Sequence, residues 1–259
     1  GNQIIPVGNG FLASGLEGDG RMAEPEEILD NIHNFFAKNL DLKNKNVLIT
    51  AGPTFEAIDP VRFIGNHSSG KMGIELAKSC ANRGANVTLI LGPTSLTLEN
   101  PSIKVERIQS AQEMYDAVNQ CFEQSDIVIF AAAVADYRPA TVSHIKIKKK
   151  DDDLSIPLVK TIDIAATIGA KKSDKQILVG FALETNDEII NANSKLHKKN
   201  LDFIVLNSLA DQGAGFKHDT NKVTIIDSEG TKIDFPLKSK KDVANDIIDY
   251  LVSKIKMDV

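Results

Sequence analysis

Within nine residues, Gly65-Asn66-His67-Ser68-Ser69-Gly70-Lys71-Met72-Gly73 gathers glycines, an amide, two hydroxyls and a lysine. Gly65, Gly70 and Lys71 satisfy the G-x-x-x-x-G-K opening of a phosphate-binding P-loop, but Met72 stands where a Ser or Thr hydroxyl would hold magnesium. A P-loop also follows its strand at once, so that the helix N-terminus faces the phosphates. Here the apolar run VLITA (47–51) is separated from a helix starting near Gly70 by GPTFEAIDPVRFIGNHSS. That is far longer than the ~2–6 residues usual between strand and helix. An insertion of this kind at a strand's carboxyl end belongs to an active site. It carries Arg62, Asn66, His67, Ser68 and Ser69, which can hold a phosphate and polarise a carbonyl but offer no evident nucleophile. His67 reads as a structural hydrogen-bonding residue ahead of a general base. The N–H groups of the following helix leave room for an anion near Ser68, Ser69 and Gly70.

A second constellation is AAAVADYRP (131–139). Ala131, Ala132 and Ala133 would let a flat ring lie against the backbone; tight strand–helix packing would use the same residues. Asp136 lies just beyond the strand end, where a carboxylate can bind ribose or Mg2+. Lys146 follows ten residues later. An acid and a lysine at one sheet end suit a metal–triphosphate ligand.

These groups need a scaffold, and the chain supplies an alternating one. Strand patterns at 47–51, 85–91, 102–108, 126–133, 176–182 and 201–207 interleave with helical patterns at 71–84, 111–125 and 187–200. NKVTIID and TKIDFPL flank Ser228-Glu229-Gly230 as a hairpin, and a last helix covers KKDVANDIIDYLVSKI. The expectation is an α/β fold: a Rossmann-like, doubly wound, mainly parallel sheet with a C-terminal hairpin and helix. Such sheets bind ligands at the carboxyl ends of their strands. In HIKIKKKDDDLSIPLVK (144–160), Ile145 and Ile147, then Leu154, Ile156 and Leu158, alternate with polar residues around a charged turn, which predicts a protruding β-ribbon. Residues 1–40 differ: a glycine-punctuated loop (Ala13–Met22) and one amphipathic helix cannot bury a core alone. Residues 41–46 read as a linker and 47–259 as the main domain.

Bulk properties narrow the function. The 259 residues are 42% hydrophobic and 25% charged, enough for a sizeable core. A net charge of −5 argues against nucleic acid. No apolar run approaches the ~20 residues of a membrane span. Two cysteines, Cys80 and Cys121, make no disulfide framework and suit a reducing cytoplasm, and the five histidines lack metal-site spacing. Starting at Gly1, without Met or signal peptide, the chain reads as cut from something longer. A dinucleotide oxidoreductase would need G-x-G-x-x-G at the first turn and an acid closing the second strand; Gly52-Pro53-Thr54 and Gly92 stand there. A non-catalytic nucleotide-binding module would not need Asn66 and Lys146 at two separate strand ends.

Taken together, AGPTFEAIDPVRFIGNHSSGKMG, AAAVADYRPATV with the following KIKKK, VGFALET and KKNLDFIVLN resemble phosphopantothenoylcysteine synthetase, in the bacterial form fused behind a flavin-dependent decarboxylase. The likeness runs over 44–259. PVGNGFLASGLEGDGRMAEPEEI resembles the tail of that decarboxylase, including its substrate-clamp loop. The resemblance implies an amide ligase of coenzyme A biosynthesis. The carboxylate of 4′-phosphopantothenate attacks the α-phosphorus of CTP in the presence of Mg2+, pyrophosphate leaves, and L-cysteine then displaces CMP from the acyl-cytidylate; eukaryotic relatives use ATP. It also implies site roles. Asn66 would hydrogen-bond the acyl group and Arg62 would assist from a partner subunit, with Ala133, Ser68, Ser69 and Gly70 around the acid. Lys146 would meet charge on the α-phosphate. Phe130, Ala131, Ala132, Asp136, Ile162, Asp163, Ile164, Ala165, Phe181, Lys195 and Lys199 would bind the nucleotide, Asp136 with Mg2+. A cytoplasmic homodimer is implied. The clamp loop departs from the family: Ser14, not cysteine, follows Ala13. A hydroxyl is a far weaker acid than a thiol of pKa about 8.5, so no decarboxylase activity and no bound FMN are expected.

Overall fold

The computed structural model describes residues 4–11, 15–38, 40–149, 153–184, 186–208 and 218–257. Its centre is an eight-stranded sheet. In chain order the strands are β1 (Asn46–Ala51), β2 (Asn86–Leu91), β3 (Ile103–Arg107), β4 (Ile127–Phe130), β5 (Ile177–Glu184), β6 (Phe203–Ser208), β7 (Val223–Asp227) and β8 (Lys232–Asp234). In space they run β8-β7-β6-β5-β4-β1-β2-β3. The six strands from β6 across to β3 pair in parallel; β7 and β8 add antiparallel, turning on Gly230 at φ 87°.

The helices are α1 (Pro25–Lys38), α2 (Lys71–Asn82), α3 (Ala111–Phe122), α4 (Ile164–Gly169), α5 (Glu188–Lys198) and α6 (Lys240–Met257). Side chains along a strand alternate between faces, and the two faces gather different helices. Val47, Ile49 and Ala51 pack with Ile74 and Leu76 of α2 and Ile247 and Leu251 of α6. Leu48 and Val128 pack with Met114 of α3, Ile168 of α4 and Leu196 of α5. Both faces are covered, which is why the strands read as near-continuous apolar runs. Ser110 and Glu113 close a capping box on α3, and Gly84, at φ 88°, ends α2 as its position predicts.

Gly73 sets how α2 meets the sheet. A Cβ there would lie 2.4 Å from the Ala51 Cβ, so the first turn of α2 rests directly on the end of β1. Gly73, three residues beyond the P-loop-like Gly70, serves helix–strand contact.

The structure redraws three expected segments. Ribbon strands form at Tyr137–Pro139 and Leu158–Lys160, antiparallel to each other, not at Ile145, Ile147, Leu154 or Ile156. Residues 143–147 instead dock on the turn 58–62. The Ser143 N–H donates to Ile58 O at 3.0 Å and the Ile147 N–H to Asp59 Oδ2 at 3.1 Å. Alternation describes any extended segment; here its hydrogen bonds go to a buried carboxylate instead of a strand. The turn residues Lys150–Asp152 lie outside the described residues. In the insertion after β1, Phe55–Ala57 pairs with Phe63–Gly65 as a small hairpin. Near the N-terminus, Glu17–Arg21 is not loop but pairs with Gly8–Phe11 ahead of α1; Ala13 and Ser14 lie outside the described residues. No helix among the described residues is long and apolar enough to cross a membrane.

Candidate active site

The loops leaving β1 and β4 are joined backbone to backbone. The N–H of Ala131 donates to Thr50 O (3.1 Å) and that of Ala133 to Gly52 O (2.9 Å); the Thr54 N–H returns to Ala133 O (3.3 Å). Thr54 Oγ1 accepts from the Ala135 N–H at 3.0 Å. Asn66 completes the seam: its Nδ2 donates to Ala133 O at 3.1 Å and Val134 O at 3.0 Å. With those donors occupied, Oδ1 is the atom left to meet a ligand. Gly52 turns at φ 79°, and Gly92 approaches Pro53 so closely that a Cβ would lie 1.9 Å from its carbonyl oxygen.

Above this seam a cavity of about 780 Å³ opens at the carboxyl ends of β1, β4, β5 and β6. Asn66, Ser68, Ser69 and Gly70 line it from the β1 loop, with Phe130–Ala133 and Asp136 from the end of β4. Ser68 Oγ accepts the Gly70 N–H at 3.2 Å, while Thr94 Oγ1 fixes Ser69 O at 2.7 Å. Opposite lie Ile162–Ala165, Phe181, Lys195 and Lys199. Asp163 caps α4 through the Ala166 N–H (3.1 Å) and pairs with Lys199 (3.0 Å); Lys195 pairs with Glu184 at 2.6 Å. The α4 end is tied to α5 by Asn200 Nδ2 on Gly169 O at 3.0 Å.

Two expected site residues lie elsewhere. Arg62 and Lys146 do not line the cavity within one chain. The Arg62 guanidinium pairs with Asp59 through Nε (3.0 Å) and through Nη2, and Nη2 also reaches Ile147 O at 2.9 Å. That guanidinium holds the Asp59 carboxyl well below the usual carboxylate range against the opposing effect of burial, helped by the N–H groups of Val61, Ile147 and Arg62. Lys146 is exposed beside this junction.

Sequence reasoning did not find Lys160, Asn207, Asn221 and Lys240 on the cavity wall, nor that Lys71 lines it. They come from segments distant in sequence and brought together by topology; no local spacing announces them. Among the described residues no group of three or more His, Cys, Asp or Glu could hold a metal alone. Asp136, exposed at the cavity wall, suits the other arrangement, in which one carboxylate and a ligand's phosphates share a hard cation.

Comparison with known proteins gives a consistent picture. The chain is 53% identical, over 98% of its length, to a cysteine/cysteine sulfinic acid decarboxylase from an unknown prokaryotic organism, spanning 72% of that protein. It is 46% identical, again over 98%, to the coenzyme A biosynthesis bifunctional protein CoaBC of Bacillus subtilis (strain 168), of which it spans 63%, less than two thirds. The crystal structure of the C-terminal domain of a coenzyme A biosynthesis bifunctional protein CoaBC superposes at TM-score 0.71 with 42% identity, covering 83% of this chain and 98% of that one. Residues 42–255 match the model of the DNA/pantothenate metabolism flavoprotein C-terminal domain, and the chain belongs to that family.

Proposed function

We propose that the chain ligates 4′-phosphopantothenate to L-cysteine with CTP, releasing pyrophosphate and CMP. The observation that carries this reading is one cavity lined together by Asn66 and Ala133 and by Phe130, Asp136, Lys195 and Lys199. An activated acid and a nucleotide can lie there in contact. No side-chain nucleophile is needed: the substrate carboxylate forms the new bond to the α-phosphorus as the bond to pyrophosphate breaks. The cysteine amine then adds to the acyl carbon, CMP leaves with the acyl-bond electrons, and the amine proton passes to solvent. The protein's contribution is position and charge. Asn66 Oδ1 is the atom we assign to the acylated end, its Nδ2 being held by Ala133 and Val134. The N–H groups of Ala131–Ala133 serve Thr50 and Gly52, so a base lying there would be met by backbone carbonyls. Carbonyls accept from an exocyclic amine, which cytosine carries. Mg2+ would be held by Asp136 and substrate phosphates, and would neutralise phosphate charge during activation.

Arg62 and Lys146 enter this reading through a second copy of the chain. They stand on the hairpin 55–65 and the docked segment 143–147, beside exposed apolar side chains including Phe63 (50% exposed) and Ile145 (77%). An isologous dimer through this face would cover those side chains and carry both cations to the neighbour's cavity. Residues 1–40 we assign to the tail of a decarboxylase domain in a longer cytoplasmic protein.

A decarboxylase reading, raised by the name of the 53% identical relative, fits the cavity less well. Several lysines line it and suit two phosphorylated substrates, whereas neither cysteine nor cysteine sulfinic acid carries a phosphate. The test is pyrophosphate release that requires both 4′-phosphopantothenate and CTP, followed by a cysteine amide. CO2 release from cysteine without pyrophosphate would favour the alternative, and equal turnover with ATP would remove the choice of CTP.

A further inference from the structure

The stretch VGFALET carries Phe181 on the cavity wall and, three residues on, Glu184 at the end of β5. Leu183 and Lys195 line the cavity too, but Glu184 does not. Asn191, Lys195 and Lys199 recur every four residues along α5 and its C-terminal cap, and so share one face. That face is tied down along its length. Asn191 Nδ2 donates to Asn186 O at 3.0 Å and to Glu184 Oε2 at 3.4 Å. Lys195 Nζ donates to Glu184 Oε1 at 2.6 Å, and Lys199 Nζ to Asp163 Oδ1 at 3.0 Å. The two ion pairs differ. The Asp163 side chain is 53% exposed, so water screens that pair and it constrains Lys199 weakly. The Glu184 side chain is 13% exposed and is reached from two positions of α5, which makes its carboxylate a fixed point between strand and helix. Burial does not fix the lysine it holds. The Lys195 side chain is 43% exposed, a flexible stem that would otherwise spread over many rotamers.

We propose that Glu184 is a positioning residue: it sets Lys195 Nζ at the cavity wall before the nucleotide arrives, so that the ammonium meets phosphate charge already ordered. This deepens the ligase reading and rests on it, since that reading puts the triphosphate beside Lys195 and Lys199. Glu184 also brings a negative charge towards a polyanion, and the two effects have opposite signs. Ordering prevails. Lys195, at 2.6 Å, offsets the Glu184 charge as felt from the cavity, and a long side chain held in place beforehand need not be immobilised on binding.

The experiment is calorimetric titration of the full chain with CTP and, separately, with 4′-phosphopantothenate. The proteins are wild type, Glu184→Gln, Glu184→Asp, Lys195→Met, and Glu184→Gln combined with Lys195→Met. Glu184→Gln should weaken CTP about tenfold, a coupling of the size found between residues in contact. Glu184→Asp, which keeps the charge, should recover part of that loss. In the Lys195→Met background, Glu184→Gln should weaken CTP no further, because the group it positions is gone. Affinity for 4′-phosphopantothenate should stay within about twofold throughout, a split that general destabilisation would not give. If Glu184→Gln fails to fold, Glu184→Asp with and without Lys195→Met carries the same comparison. CTP affinity in Glu184→Gln equal to or above wild type, an equal loss in both Lys195 backgrounds, or a parallel loss for 4′-phosphopantothenate overturns the proposal. Wild type that binds CTP but releases no pyrophosphate with 4′-phosphopantothenate overturns the ligase reading, while the coupling still decides the positioning role; wild type that binds no CTP overturns both.

Discussion

The carboxylate of Asp59 accepts the backbone N–H of Ile147 at 3.1 Å across 88 positions of sequence. The same carboxylate holds Arg62 and the N–H groups of Val61 and Arg62. One buried acid therefore organises both segments that carry the cations missing from the cavity, Arg62 on one and Lys146, next to Ile147, on the other. Asp59→Asn keeps the shape but removes the charge and one acceptor. Misplacing a substrate-positioning group by about 1 Å can cost on the order of 10²-fold in rate, and we expect a loss of that order in pyrophosphate release. Near-wild-type turnover of Asp59→Asn would show that this junction does not serve the reaction.

Asn66 and Lys146 are proposed to act on different half-reactions, which separates them experimentally. Lys146→Gln should abolish pyrophosphate release, because the α-phosphate loses its cation. Asn66→Asp should still release about one pyrophosphate per site and then stall with acyl-cytidylate bound. It also sets a carboxylate against the carbonyls of Ala133 and Val134, so amide formation should fall by roughly 10²–10³-fold. Chemical quench in a single turnover reads both steps.

If Lys146 reaches the cavity of a second copy, two dead variants rescue each other. An equal mixture of Asn66→Asp and Lys146→Gln chains, allowed to exchange, should form half heterodimers, each with one intact site. Recovery to roughly a quarter of wild-type activity is expected from an isologous dimer. Recovery of nothing, with exchange verified by mass, would place both residues in one chain's site.

Much of this arrangement was legible because it depends on local pattern. Val47–Ala51 and Ile127–Phe130 are apolar runs of strand length, and Ser110-x-x-Glu113 and Gly84 mark helix ends by their own chemistry. Asn66 and Asp136 were legible beyond the carboxyl ends of those strands, whereas Phe181, within Ile177–Glu184, was named through the family resemblance. What escaped is non-local. Helix α4 spans under two turns, too few for a period to show. Asp59 looks like an ordinary loop acid until Ile147 folds onto it. Lys240 is buried at the start of α6, which no local spacing announces.

The contact between Gly73 and Ala51 can be tested through stability. Gly73→Ala places a methyl 2.4 Å from the Ala51 Cβ and 3.2 Å from its Cα, with no flexible side-chain end to yield. Overpacking of this kind costs typically about 1–3 kcal/mol. A lowered denaturation midpoint with an unchanged denaturant slope is the expected result. Because the first turn of α2 must lift from β1, binding at Ser68–Gly70 should weaken in the same variant. An unchanged midpoint would mean that α2 is not seated on the strand end.

Acid should unfold the protein through two buried carboxylates. Asp227 resists the upward push of burial because Lys254, the Tyr250 hydroxyl and the Thr231 N–H stabilise its charge, and its pKa lies well below the ordinary value; the Tyr250 hydroxyl is pushed up to about 12 by burial and by the same contact. Asp59 is depressed likewise by Arg62. A carboxylate whose folded pKa is lowered contributes stability that is complete above the unfolded value of about 3.9 and is lost as pH falls towards the folded one. Stability measured by urea titration should therefore be flat with respect to these two groups near neutrality and decline below about pH 4. Asp227→Asn leaves Lys254 with the exposed Glu229 as its carboxylate partner among the described residues and should cost about 3 kcal/mol at pH 7. It should also flatten the acid limb, since one of the two titrating groups is gone. An acid limb as steep in Asp227→Asn as in wild type would mean that other carboxylates govern acid unfolding.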